Sequence, residues 1–186
     1  MIRKLSFLMI LCITSVAALA AEVGGVKLDD KATVGGQELV LNGAGIRTKF
    51  IVKVYVGSLY VPAKANTPAA VLAKGPRRVQ LNMLRDVGAD QMVEALVDGV
   101  NQGNPPAEVA AVKAQTDELA KIMKSIGELK QGNVLVFDFV DDATKVSLNG
   151  AAKGSIPGAA FNKALTNAWL GDNPVQGDLK KAMLGG

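Results

Sequence analysis

One arginine stands at the entrance of the most apolar segment of this 186-residue chain. The stretch LNGAGIRTKFIVKVYVGSLYVP, residues 41–62, gives two glycines, then Arg47, then a long run of β-branched and aromatic residues. A guanidinium presents five donors in a planar fork that matches a carboxylate or an enolate bidentately. Two readings of Arg47 are open. It is a solvated strand-end side chain, as most arginines are, or an anion-binding fork on the pocket side of a sheet. Composition removes much other chemistry. The chain has no histidine, and its one cysteine, Cys12, lies in the N-terminal segment. Serine–histidine triads, cysteine nucleophiles and zinc sites built on His or Cys are thereby excluded from the mature protein. Arg, Lys, Tyr, Asp, Glu, Ser, Thr or backbone groups must carry whatever chemistry there is.

Other motifs are weaker. Gly43-Ala44-Gly45 follows a predicted strand, but position 48 is Thr, and a β-branched strand follows where a phosphate-cradling turn needs a third glycine and a helix. Asp29-Asp30 and Asp141-Asp142 are lone acidic pairs in turns, without the spacing of a calcium loop. No metal and no cofactor is expected. The methionines fall on helical stripes and read as core filler.

Arg3 and Lys4, the apolar stretch Leu5–Ala17 and the small-x-small Ala18-Leu19-Ala20 predict a cleaved signal peptide over residues 1–20. The mature protein then begins at Ala21 and is periplasmic or secreted, without stable membrane insertion. Leu11 disfavours a lipoprotein signal at Cys12. Losing Arg3 and Lys4 leaves 19 basic against 17 acidic side chains, a net charge of +2 in place of +4. No basic cluster interleaves with aromatics, so no nucleic-acid partner is expected. The remaining residues, 21–186, make one domain of ordinary size, and with no cysteine they owe nothing to disulfides.

Residues 26–61 read as strands. Gly35-Gly36 marks a hairpin, Gln37–Leu41 a strand, Asn42–Gly45 a turn, and Phe50–Val61 the strongest strand of the chain. Arg77–Leu84 alternates, with Val79, Leu81 and Met83 on one face. Asp90 opens a helix with the stripe Met92, Leu96 and Val100, and Gly103-Asn104-Pro105-Pro106 ends it. A second helix is predicted over 107–126. Strands follow at 134–140, 145–148 and 151–156, then helices at 159–170 and 177–184. The order predicts class α+β, a mostly antiparallel sheet with helices packed on one face.

The stretch GAGIR followed by FIVKVYVGSLYV resembles the chalcone isomerase family, with Lys53, Tyr55, Ser58 and Tyr60 falling on the family's strand pattern. NMLRDVGADQM, GNVLVFDF and IPGAAFNKALTNAWLG extend the similarity over residues 25–184. The resemblance implies an open-faced β-sandwich with a cleft between sheet and helices. It also implies a site of Arg47, Tyr55, Gln91, Asp98 and Thr166. In the ring-closing plant enzymes an arginine works with a Thr, Tyr, Asn and Thr/Ser network. Here the arginine matches Arg47 and the late Thr/Ser lies near Thr166, whereas the strand threonine becomes Tyr55, the helix tyrosine Gln91 and the asparagine Asp98. Fatty-acid-binding relatives pair the same arginine with a strand tyrosine that holds a carboxylate.

The expected function is therefore an exported, non-catalytic binding protein for a small amphipathic carboxylate. The alternatives are an isomerase or intramolecular lyase acting on an enone or polyphenol-like substrate, and an accessory protein with a vestigial cleft. One geometric condition governs the first two. Eight residues of continuous strand separate Arg47 from Tyr55 by roughly 26 Å at about 3.3 Å per residue. They share a ligand only if the chain turns near Thr48-Lys49.

Overall fold

The structure is a computed structural model that describes residues 21–73 and 75–186. The predicted signal peptide lies outside the described residues. Seven strands form one curled antiparallel sheet in the order of the sequence: β3 (Lys31–Val34), β4 (Gln37–Lys49), β5 (Val52–Val61), β6 (Arg77–Met83), β7 (Val134–Val140), β8 (Ala143–Leu148) and β9 (Ala151–Pro157). Each strand pairs with the next strand of the chain, through short turns except between β5 and β6 and between β6 and β7, where residues 62–76 and 84–133 intervene. The predicted alternation of β6 holds: Val79, Leu81 and Met83 are buried, and Arg78, Gln80 and Asn82 are half-buried on the opposite face.

The helices lie on one face. They are α2 (Ala89–Gly103), α3 (Pro106–Ala111), α4 (Lys113–Ile126), α5 (Ala159–Leu170) and α6 (Gly177–Met183), with a short α1 (Pro68–Val71) in the β5–β6 connection. Met92, Leu96 and Val100 of α2, Leu119 and Met123 of α4, and Phe161, Leu165 and Trp169 of α5 pack on Leu59, Leu81, Leu135 and Phe137 of the sheet. The rings of Phe137 and Trp169 meet at 5.8 Å, tilted by 42°. On the other face, a hairpin of β1 (Ala21–Val23) and β2 (Val26–Leu28) lies by β4, and Leu28, Leu39, Leu41, Val56 and Tyr60 close a smaller apolar cluster there.

Three expectations are corrected. Asn42–Gly45 is no turn: β4 runs through it from Gln37 to Lys49. The pairs Leu41↔Tyr60 and Gly43↔Leu59 leave Asn42 as the extra residue of a bulge. Its buried amide donates to Ala65 O and Met183 O at 2.8 and 2.7 Å and accepts from Ala65 N at 2.7 Å. The glycines serve close approach instead of a turn. A methyl group on Gly43 would collide with the Ala182 carbonyl of α6, and one on Gly45 would lie 2.8 Å from Ala182 Cβ. Second, the chain reverses at Phe50-Ile51, so β5 starts at Val52 and not at Phe50. Third, the predicted 107–126 helix is two helices. Val112 leaves helical geometry at φ −108, ψ 13 and buries its side chain, whereas α3 before it buries none.

Candidate ligand cleft

The reversal at Phe50-Ile51 meets the geometric condition. It folds β4 back along β5 so that Arg47 pairs directly with Tyr55. Directly opposed residues of an antiparallel pair hold their Cβ atoms about 5 Å apart. The next pair is Thr48↔Lys53, which leaves Val54 as an extra residue. Arg47, Val54 and Tyr55 then line a cleft of about 520 Å³ between the sheet and α2. Leu81 of β6, Ala168 and Trp169 of α5, and Met92, Ala95, Leu96 and Gly99 of α2 supply most of its apolar wall. Gly99 lets α2 approach α5, since a methyl there would stand 2.9 Å from Ala168 Cβ.

Arg47 is half-buried and its known partners are neutral. One terminal nitrogen, Nη1, donates to Thr48 O and, at 3.3 Å, to Gln176 Oε1. Gln176 precedes α6 and is fastened on both sides of the arginine. Its Oε1 accepts from Thr48 N at 2.8 Å, and its Nε2 donates to Ile46 O at 3.3 Å. Among the described residues, Arg47 forms no ion pair with a carboxylate. The rest of its fork is therefore available to an anion.

Tyr55 is buried, and its hydroxyl accepts a hydrogen bond from Trp169 Nε1 at 3.0 Å. Burial pushes its pKa above the ordinary phenol value, against the smaller lowering effects of the Trp169 hydrogen bond and the Arg47 charge. The phenol is thus protonated at neutral pH. With its lone pair engaged by Trp169, it is oriented to donate. Arg47 and Tyr55 together present a charged fork and a neutral O–H from one spot of the sheet, a combination that suits a carboxylate.

Gln91 and Asp98 line the same cleft from α2, seven residues apart on one helix face. Both are exposed, as is Glu94, another lining residue, so the α2 side is a solvated, partly acidic rim. Thr166 does not join them. It is fully buried on α5, where its hydroxyl accepts from Arg77 Nε at 2.8 Å and donates to Asn162 O at 2.7 Å. Arg77 also donates to Asn162 O at 2.9 Å and lies 4.7 Å over the Phe139 ring. Burial pushes the Arg77 pKa down to about 10, which leaves it charged at neutral pH. Thr166 is therefore a core acceptor for a buried cation. The sequence reading missed Gln176 and Trp169. Gln176 gives no signal, being one polar residue in a loop 129 positions from Arg47. Trp169 carries a signal of its own, since a buried indole N–H requires an acceptor.

A larger concavity of about 760 Å³ lies on the opposite side of the sheet, over Gln80, Val136 and Asp138. Its Arg78 is already neutralised by a bidentate pair with Asp138, at 2.6 and 2.8 Å. It offers a carboxylate less than the Arg47 cleft does. Among the described residues, no three acidic side chains gather to hold a metal ion, and no helix is long and apolar enough to cross a membrane.

Sheet, helices and cleft define an α+β protein with the architecture of chalcone isomerases. The chalcone isomerase-like family model matches residues 20–185, and the chain belongs to that family. The fold is shared with a fatty-acid binding protein of Arabidopsis thaliana at a TM-score of 0.68 and 12% identity, over 86% of this chain and 92% of that one. A comparison with curated proteins gives no match.

Proposed function

We propose that this chain is an exported, non-catalytic binding protein whose cleft takes a small amphipathic carboxylate of fatty-acid type. The observation that carries the reading is Arg47: a half-buried cation, held by the neutral Gln176, set across from a donor-ready phenol at the end of an apolar cleft. A cleft of about 520 Å³ falls in the range of sites that enclose small organic ligands. The fold-sharing fatty-acid binding protein supports the same reading. The head group sits between Arg47 and Tyr55, and the tail lies against Val54, Leu81, Leu96 and Ala168. Export rests on residues 1–20, and N-terminal sequencing that finds Met1 on a membrane-bound species overturns it.

The test is a pair of titrations, a long-chain acid and its matching alcohol, on the protein and on Arg47→Ala. The acid loses about 1.5–3 kcal/mol, the usual contribution of a hydrogen bond to a charged group, and the alcohol is nearly unaffected. Equal losses, or none, make Arg47 a solvated strand-end residue. The enzymatic reading would set Arg47 against an enolate-like charge and use the Tyr55 O–H as donor. The protonated phenol permits a donor but supplies no base at neutral pH. Positions 91 and 98 carry Gln and Asp in place of the enzymes' Tyr and Asn. Chalcone ring closure is expected at the uncatalysed rate, and a chiral product formed in proportion to protein would reverse the assignment.

A further inference from the structure

The tip of the β4–β5 hairpin is at odds with a fully solvated surface. Phe50 and Ile51 are 92% and 94% exposed, and Val52 is 41% exposed. They are the large apolar side chains most exposed among the described residues. Phe50 also adopts φ +57°, a left-handed conformation that a hairpin turn ordinarily assigns to Gly, Asn or Asp. A strained aromatic at a fully exposed turn gains nothing for folding, so its position points to a use. Lys49 and Lys53 flank the three apolar residues, and both are exposed. The acidic side chains of the neighbouring cleft, Glu94 and Asp98, belong to α2 and not to the tip. Lys49, Phe50 and Val52 are at the same time lining residues of the Arg47 cleft, so the tip and the cleft mouth are continuous.

We propose that this tip docks the protein on an anionic lipid bilayer. Phe50, Ile51 and Val52 enter the boundary between headgroups and acyl chains, and Lys49 and Lys53 stay at the phosphate level. Apolar side chains bounded by cations are the composition that binds the interfacial layer, where aliphatic lysine stems reach up to the headgroups. Rim cations suit lipid phosphates better than they suit a partner's apolar surface, which would leave two ammonium groups to be desolvated. Resting on the proposed function, the docked cleft mouth opens onto the bilayer, and an amphipathic acid passes between membrane and cleft without crossing water.

The test is cosedimentation of the purified exported protein, free of ligand, with vesicles. One set holds equal parts phosphatidylglycerol and phosphatidylcholine, and the other phosphatidylcholine alone. Binding is expected to the anionic set and about thirtyfold weaker to the neutral set, since each of two lysines contributes about fivefold at an anionic surface. Ile51→Ser should weaken binding about tenfold or more, because it removes one buried aliphatic side chain. Lys53→Gln should cost about fivefold on anionic vesicles and nothing on neutral ones. Neither residue lines the cleft, so both variants keep the acid affinity of the parent in solution. No binding to either vesicle set, or binding that Ile51→Ser leaves intact, overturns the proposal. So does self-association that Ile51→Ser abolishes without any vesicle binding, which would make the tip a contact between protein copies. The readout needs no ligand, so its failure leaves the cleft assignment standing, and a failed acid titration leaves membrane docking standing.

Discussion

Gly45→Ala should damage a site that Gly45 does not touch. Under α6, the sheet surface is glycine at Gly43, Gly45 and Gly57, and Leu179 and Ala182 rest on it. A methyl group on Gly45 would stand 2.8 Å from Ala182 Cβ and 3.3 Å from Leu179 Cδ1. Carbon atoms in good contact are about 3.5–4.0 Å apart, so α6 must move by close to an ångström. Overpacking of this kind costs about 1–3 kcal/mol. The glycine has no positive φ, so alanine is allowed by the backbone and returns about 0.4–1 kcal/mol through the less flexible unfolded chain. The net loss is then about 0.5–2 kcal/mol, or roughly 1–8 °C in the thermal midpoint for a chain of this size. Because Gln176 leads into α6, the same movement should loosen Arg47 and weaken acid binding several-fold while sparing the alcohol. Ala182→Gly removes the opposing methyl and by itself costs about 1 kcal/mol of helix propensity. In urea titrations of the four proteins, the double variant should be about 1–2 kcal/mol more stable than the sum of the single changes and should recover acid binding. Strictly additive losses, or undiminished acid binding in Gly45→Ala, would refute the argument that α6 seats the arginine.

Three more outcomes follow from the site and the core. Burial raises the pKa of both tyrosines, Tyr55 and Tyr60, so their contribution to stability is complete below the ordinary phenol value of about 10 and is lost as pH rises through the raised values; phenolate absorbance should appear together with alkaline unfolding, and phenols that titrate near pH 10 in an intact fold would contradict this. Asp98→Asn should tighten acid binding by under about 1 kcal/mol, since an exposed rim carboxylate is well screened; calorimetry that finds weaker binding would make Asp98 a ligand contact. Thr166→Val should lower stability by about 1–3 kcal/mol, because buried Arg77 loses an acceptor, and acid affinity should be unchanged; an acid-specific loss would return Thr166 to the cleft.

What the sequence disclosed follows from how local each signal is. The alternation of Val79, Leu81 and Met83 and the stripe of Met92, Leu96 and Val100 are written within single elements, and both fell where expected. The segment Gly43–Gly45 misled because glycine marks a turn and a close approach alike, and only the distant α6 distinguishes them. Phe50 misled for a related reason: an aromatic β-former occupies a turn that usually calls for glycine or asparagine. At the site, the resemblance placed Arg47, Tyr55, Gln91 and Asp98 around one cleft. Thr166 lies one turn before Trp169 on α5, but its hydroxyl meets Arg77 deep in the core while the indole meets Tyr55.

The hydrogen bond from Arg47 to Gln176 joins positions 129 residues apart, and α5 supplies Trp169 nearly as late. A growing chain thus holds Arg47 long before it holds the residues that position it. Without α5 and α6 in place, the guanidinium lacks Gln176 and the Tyr55 hydroxyl lacks Trp169. Contacts this distant in sequence carry a loop-closure cost that local contacts do not. Under the proposed function, competence for an anionic head group therefore depends on α6 being seated, because Gln176 at its start holds the arginine.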